Sequence, residues 1–482
     1  MTQPADQGRK SLGAIEVRSI DYVPLNERHG KVWTQGPFWF LGNFQFFTIA
    51  IGFIGPGLFK LDLMNTIIAS VLGIGFGTLF MAFHASQGPT LGLPQMIQSR
   101  AQFGFRGVIV PLVATLFTFV GFNIVDQVLI GQGIHGIFGI SVVLASLVVT
   151  VAGALLAIFG HDWMHRVFKA LFWASIPFAT ILTLAIIFGK AGGAPAAGLS
   201  FTWLGFIAQF AAAASYNITY SPYVSDYSRY LPRNTDPRKI VIAVYVGAGL
   251  AAVWLIAVGA WLAARLTEAD PLVALQVAGN NVAGGLGTIL AILSVLALTA
   301  TMGLNAYSAM LTVVTGLDAV KKVSPSRKLR VITISVLAIL WALIAFSLGG
   351  NAVNTLNNML LLMLALLVPW TAINLVDYFF VRRGHYAITD LFTPKGIYGA
   401  WGWRGLTAYF VGLVLELPFI YVSFYVGPFA QKIGTDVSFV VGLGVSSILY
   451  WILSRSMNVA SEAPAIERSE AELAAAETSG TL

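Results

Sequence analysis

The chain is a succession of long apolar runs separated by short polar interruptions. A membrane-crossing helix needs roughly 20 predominantly apolar residues. Runs of that length fall near 33–58, 64–87, 106–133, 140–160, 167–189, 201–228, 239–265, 284–315, 329–349, 354–381, 404–427 and 434–454. They are continuous, not alternating, which excludes a transmembrane β-barrel. Two carry helix-breaking or polar residues at depth: GFIGPG at 52–57 in the first, and Tyr216-Asn217-Ile218-Thr219-Tyr220-Ser221-Pro222 in the sixth. Irregular backbone inside a bilayer is tolerated only where it lines a cavity or is buried in protein. Interruptions five spans apart therefore point to a five-plus-five inverted repeat with a site between the two breaks.

Composition agrees. Of 482 residues, 57% are hydrophobic and 10% charged, where a soluble domain carries about 25% charged residues. A mean hydropathy of +0.79 is too high for one globular core, so part of the solvent is lipid. There is no Cys, and the six His residues show no metal spacing, so no metal and no cofactor are expected. Charge placement tests the spans independently. With the N-terminus inside, 24 Lys and Arg residues fall on the internal side and only Lys60, Lys190, Arg265 and Lys432 fall outside, as the positive-inside rule requires. The net charge of +7 sits in those internal loops and is no nucleic-acid footprint.

The expected architecture is an all-α polytopic membrane protein with about 12 spans. A transmembrane unit over 33–454 lies between an N-terminal segment (1–32) and a tail (455–482), both cytoplasmic, in the cell (inner) membrane. Residues 1–32 have no apolar stretch and no cleavage site, so the first span is expected to act as the insertion signal. The acidic, Ala/Glu-rich tail is expected to be disordered or loosely helical. Beyond the lipid bilayer and a small solute no partner is called for, and a monomer is expected.

Three segments carry a resemblance: GPTLGLPQMIQSRAQFGFRG (88–107), SPYVSDYSRYLP (221–232) and PWTAINLVDYFFVRRGHYAITDLF (369–392), the last followed by KGIYGAW (395–401). Over almost the whole membrane region the chain resembles the nucleobase–cation symporter-1 family, the cytosine/purine permease and hydantoin/allantoin transporter group. SPYVSDY and ATMGLNAYS (300–308) look most similar to purine–cytosine permeases. The resemblance implies a leucine-transporter-type fold, two inverted five-helix halves plus two peripheral helices. Substrate would be held by helices one, three, six and eight, with a cation beside helices one and eight. Phe38-Trp39-Phe40-Leu41-Gly42-Asn43-Phe44-Gln45 matches the first-helix motif, which implies Gln45 at the substrate and the carbonyls of Leu41 and Phe44 at the cation. The third-helix pattern falls on Phe119, Gly121, Phe122 and Asn123. On the eighth helix Asn305 takes the substrate-binding position, and Leu296 and Thr299 take those of cation ligands. Ala300 stands where the sodium-coupled hydantoin carrier has a second hydroxyl, leaving that cage one oxygen short. The co-transported ion stays open between H+ and Na+.

The residues support a neutral ring ligand on their own chemistry. Aromatic faces stack on flat rings, and side-chain amides offer both a donor and an acceptor to a ring edge. Gln45, Asn123, Asn217 and Asn305 supply amides, with Phe119, Phe122 and Tyr216 beside them. No Arg or Lys lies at midplane depth, which argues against phosphates and carboxylates. The competing reading is structural: lone amides often join membrane helices, and the chain holds 33 Phe. Asp126 lies one turn from Asn123 on the same face. An intramembrane carboxylate is costly and marks an ion or proton pathway by default; its alternative is a carboxyl bonded to a neighbouring helix. Asp226 and Asp377, each beginning an Asp-Tyr pair near Arg229 and Arg382, are expected to be ion-paired structural or gating groups. Gly73, Gly75 and Gly77 lie inside a span and are read as helix packing. The expected function is secondary active symport of a nucleobase or related neutral heterocycle by alternating access. Allantoin, hydantoin or a vitamin-like pyridine are the substrate alternatives. A channel is the alternative of another class, disfavoured because no charged ring or repeated filter sequence occurs. No catalytic residue set supports an enzyme.

Overall fold

The computed structural model describes residues 20–28, 30–323, 326–348 and 351–479, apart from the side chains at 161, 162 and 165. Arg9, Lys10 and Arg18 of the N-terminal segment lie outside the described residues. Span one is broken into α1 (Gln35–Asn43) and α2 (Phe46–Ile51), and α3 (Leu63–Ala85) follows as span two. Three short helices, α4 (Gln87–Leu91), α5 (Gln95–Gln98) and α6 (Arg100–Phe103), fold the family-like 88–107 segment across one end of the bundle. Next come α7 (Ile109–Phe138), α8 (Val142–Phe159) and α9 (His161–Ile187), then the second broken span, α10 (Trp203–Ile218) with α11 (Ser221–Ser228). The second half runs through α12 (Pro237–Arg265), α13 (Pro271–Val282), α14 (Leu286–Val320), α15 (Arg327–Ser347) and α16 (Ala352–Val376). It ends with α17 (Trp403–Glu416), α18 (Pro428–Ile433), α19 (Ser438–Ser454) and α20 (Ala463–Ser479). A two-residue antiparallel hairpin, β1 (Tyr421–Val422) with β2 (Tyr425–Val426), joins α17 to α18.

Eight of these helices are individually long and apolar enough to cross a bilayer. With the two broken spans and the shorter α17 and α19, the bundle has about twelve crossings. Its centre is built by close helix approach. In α3, a Cβ on Gly73 would meet the Phe210 carbonyl oxygen at 2.4 Å and one on Gly77 the Ala214 oxygen at 2.2 Å. Only glycine lets α3 lie this close to α10, so these glycines do pack helices.

Four details differ from the expectations. The break in span one is at Phe44–Gln45, not at GFIGPG. There Gly52 presses on α12, with the Ile256 carbonyl 2.3 Å from where a Cβ would sit, while Ile54–Leu58 forms one π-turn. Those residues serve contact more than interruption. Span eleven stops at Glu416 and gives way to a 3-10 turn and the hairpin. A helix not foreseen, α13, lies between spans seven and eight. The tail forms a continuous helix, α20, docked at the end of the bundle where the described N-terminal stretch also lies. Glu477 Oε1 accepts the Leu25 amide (2.8 Å), Arg233 pairs with Glu470 (2.6 Å), Arg468 with Asp390 (2.7 Å), and Ser469 Oγ accepts the Thr389 amide (3.0 Å). Just before α20, Glu462 takes both Nε and Nη2 of Arg382 (3.0 and 3.1 Å). Acidic tail residues thus find the basic loops of that end. Asp377 pairs with Arg382 (2.6 Å), and Asp226 accepts the Gln95 amide at the start of α5.

Candidate substrate site

The first-helix break is held open by side chains that replace the missing helical bonds. Gln45 is extended (φ −147°, ψ 167°), and the two helical pieces meet at 60°. Freed carbonyls at such a break must be satisfied internally. Thr48 Oγ1 donates to the Asn43 carbonyl (2.6 Å), Asn43 Nδ2 to Trp39 (3.2 Å) and Gln45 Nε2 to Gly42 (3.1 Å). In span six the helix stops at Thr219–Tyr220, and α11 restarts with Pro222 in its first turn, where a missing N–H is tolerated.

Between the breaks sits a buried aromatic box. Phe47 stacks on Tyr216 (ring centroids 5.4 Å) and meets Phe122 edge-on (5.3 Å). Phe122 stacks on Tyr220 (5.9 Å), Tyr220 lies against Tyr223 (5.2 Å), and Phe119 meets Tyr223 edge-on (4.3 Å). The tyrosines occupy positions 216, 220 and 223, one helical stripe carried through the break; the phenylalanines of α7 occupy 119 and 122. All six rings are at most 3% exposed.

Polar groups close the box at two poles. At one, Gln45 Nε2 donates to the hydroxyls of Tyr216 (3.1 Å) and Tyr220 (3.0 Å), and Thr48 and Tyr216 share a hydroxyl–hydroxyl bond of 2.7 Å. At the other, Tyr223 donates to Asn305 Oδ1 (2.8 Å), and Asn305 Nδ2 reaches Asn123 Oδ1 (2.9 Å) and Asp126 Oδ2 (3.5 Å). Asp126 is 1% exposed, and its Oδ1 has no hydrogen-bond partner.

The structure therefore brings Gln45, Phe119, Phe122, Asn123, Asp126, Tyr216 and Asn305 into one assembly. It adds Phe47, Thr48, Tyr220 and Tyr223, which the sequence reading missed although the 216/220/223 spacing carried the signal. Asn217 is turned away from these groups: its Nδ2 donates to Thr78 on α3 (2.7 Å). Nor do Leu296 and Thr299 turn towards the first-helix break. Leu296 is 48% exposed, and Thr299 Oγ1 donates to the Val295 carbonyl of its own helix. A cavity beside Phe44 and Gln45 is lined from α14 by Leu290, Leu293, Ser294 and Ala297 instead. Leu41 and Phe44 flank the break, where Phe44 departs from helical geometry (φ −87°, ψ 69°).

Two interrupted helices that meet in one buried assembly of aromatic rings and amides define a membrane transporter of the leucine-transporter type. The comparisons make the class narrower. The sequence profile of the family described as permeases for cytosine/purines, uracil, thiamine and allantoin matches residues 22–442, and the chain belongs to that family. It is 34% identical over 446 residues to a putative purine-cytosine permease of Bacillus subtilis, covering 92% of this chain and 96% of that one. With a purine-cytosine permease of Saccharomyces cerevisiae it shares 24% identity over 484 residues, 92% of this chain and 86% of the other. Its fold is similar to Mhp1, a nucleobase-cation-symport-1 family transporter solved closed with bromovinylhydantoin bound. That match has a TM-score of 0.72 at 19% identity, over 94% of this chain and 98% of that one. The inward-facing form of Mhp1 gives 0.67 at 18% identity, over 95% and 99%. The protein is thus a permease and not an enzyme.

Proposed function

We propose that the protein is a secondary active symporter that imports a nucleobase, cytosine or a purine, with a proton, by alternating access. The observation that carries this reading is the aromatic box closed at both poles by oriented amides, with no Lys or Arg among the groups that line it. Stacking faces and amide edges suit a flat neutral ring, and the matched relatives are named for such substrates. Asp126 supports the proton: a buried carboxyl within reach of a substrate amide can take up and release H+ as the site changes sides. The orientation of Leu296 and Thr299 away from the first-helix break supports it over Na+. The internal loops are cytoplasmic in this reading, both termini lie in the cytoplasm of the cell (inner) membrane, and a monomer suffices because one chain supplies the whole box. The test is uptake of labelled cytosine and adenine into proteoliposomes. An inward proton gradient without sodium should drive accumulation, and a protonophore should abolish it; accumulation that requires sodium at constant pH overturns the proton assignment.

A further inference from the structure

A polar cavity separate from the aromatic box lies at the end of span ten that the orientation proposed above makes external. Its walls are Leu58 and Phe59 at the end of span one, Ala208 on α10, Asn357 on α16, and Tyr421 and Asp436 from the chain between α17 and α19. A Cβ on Gly121 of α7 would meet Met363 Cε at 2.6 Å and Met359 Sδ at 3.9 Å. Helical spacing puts those methionines on the other side of α16 from Asn357, so span ten stands between this cavity and the rings of α7. Two groups in the cavity ask for a positive charge. Asn357 is 7% exposed, and its Oδ1 is buried without a hydrogen-bond partner. Asp436 is 2% exposed and accepts the Tyr421 amide (2.8 Å), the Ser438 amide (3.1 Å) and the Ser438 hydroxyl (2.8 Å). These donors are neutral, and none of the ion pairs formed among the described residues includes Asp436. Lys432, four residues earlier, lies over the Phe429 ring instead (5.9 Å). A carboxylate has about four lone-pair positions, so Asp436 keeps one acceptor position as well as an unbalanced charge.

We propose that this cavity binds a compact organic ammonium ion, with its N–H groups on Asp436 and Asn357 Oδ1 and its hydrocarbon body against Phe59 and Tyr421. Aromatic faces attract a cation, and Leu58 and Ala208 suit an apolar body. Water serves an amide oxygen but brings no counter-charge. A divalent metal ion fits less well: calcium takes six to eight oxygens, usually with several carboxylates, and among the described residues no group of three or more His, Asp or Glu could hold a metal. The wall opposite span one is fixed in place. Asn358 Nδ2 donates to Ser423 Oγ (2.8 Å), and Asn358 Oδ1 accepts the Ser423 amide (3.0 Å), which ties the β1–β2 hairpin to α16. An occupant therefore joins spans one, six and ten to that hairpin, so its binding is read as stability. The inference does not depend on the nucleobase reading.

The experiment is thermal unfolding of the purified full-length protein in an amine-free buffer at neutral pH and constant ionic strength. It is titrated with benzylammonium chloride and, separately, with benzyl alcohol, a neutral analogue of nearly the same shape. Wild type should be stabilised saturably by the ammonium ion and not by the alcohol. Asn357→Asp supplies a second carboxylate and should tighten the apparent dissociation constant several-fold. Asn357→Leu removes the acceptor and should weaken it by about tenfold or more, the scale of one lost hydrogen bond to a charged group. Asp436→Asn keeps the shape without the charge and should abolish the shift; the two Asn357 variants decide the matter if Asp436→Asn does not fold. Gln45→Ala, in the aromatic box, should leave the titration unchanged. The absence of a saturable shift in wild type, equal shifts from ammonium ion and alcohol, or an Asn357→Asp protein that binds no more tightly than wild type would each overturn the proposal. A shift lost in Gln45→Ala would place the ion in the aromatic box and overturn it as well.

Discussion

A single side-chain amide in a membrane helix can join helices or read a ligand, and only its neighbours tell which. Gln45 and Asn305 point into the aromatic box, and Asn217 points out of it. Gln45→Ala and Asn305→Ala should each weaken substrate binding at least tenfold, about 1.4 kcal/mol, with expression retained. Asn217→Ala should leave the dissociation constant unchanged and lower stability by about 1 kcal/mol, because it removes the bond to Thr78. Binding isotherms together with thermal unfolding separate the two outcomes. The sequence made Gln45, Asn123 and Asn305 legible because each lies in a long apolar run with aromatic neighbours. It could not separate Asn217 from Tyr216 because the two are adjacent, and adjacent helical residues face about 100° apart. Composition shows which residues are at depth; which face they occupy depends on how the broken helix is turned.

At the scale of the element, the breaks and the tail show what a hydropathy pattern can and cannot carry. Lipid must be matched by continuous apolar sequence, so the spans other than the eleventh were readable to within a few residues. The first-helix break was not, because Phe44 and Gln45 look like any other helical pair; what opens the helix there is the ring of acceptors and hydroxyls around it. The tail escaped for a different reason. α20 is held by charges against loops distant in sequence, and no local periodicity records such partners. Its anchors are unequal. Glu462 meets Arg382 where the side chains are 14% and 5% exposed, while Glu470 meets Arg233 at 51% on both sides. Solvent-exposed pairs contribute little, whereas losing Glu462 leaves two buried donors of Arg382 unserved, with Asp377 alone to balance its charge. Glu462→Gln should therefore lower stability by about 1–3 kcal/mol, and Glu470→Gln by less than about 0.5 kcal/mol. Thermal unfolding of the purified variants measures the difference, and equal effects would show that the tail is not held at Arg382.

For the whole molecule the proposed import asks how a closed box is tied to a proton gradient, and the orientation of the chain comes first. With no native Cys, single cysteines report it cleanly. Ile140→Cys and Asn351→Cys should react with an impermeant thiol reagent on intact cells, while Thr478→Cys on α20 should react only after permeabilisation. Ser324, which the charge pattern assigns to an internal loop, lies outside the described residues and should behave as Thr478 does. Coupling follows from the same geometry. Asp126 touches Asn305, and Asn305 touches Tyr223 on the broken sixth helix, so the charge on one carboxyl bears directly on the element that must move. An ionised Asp126 in the closed box would have only the long contact from Asn305 Nδ2, because its Oδ1 has no donor; the proposed coupling therefore has the carboxyl neutral at closure. A protonated carboxyl with a bound ring can cross between the two open states, and an empty, ionised one closes at greater cost. Asp126→Asn supplies a permanently neutral side chain of the same shape. It should preserve exchange of labelled for unlabelled substrate across proteoliposome membranes and abolish accumulation driven by an inward proton gradient. Wild-type uptake should rise as external pH falls, and the variant's exchange should lose that dependence. Proton-driven accumulation that survives in Asp126→Asn would make the carboxyl a structural tie between α7 and α14, and the coupling ion would then have to be sought in the cavity beside Phe44, Ser294 and Ala297.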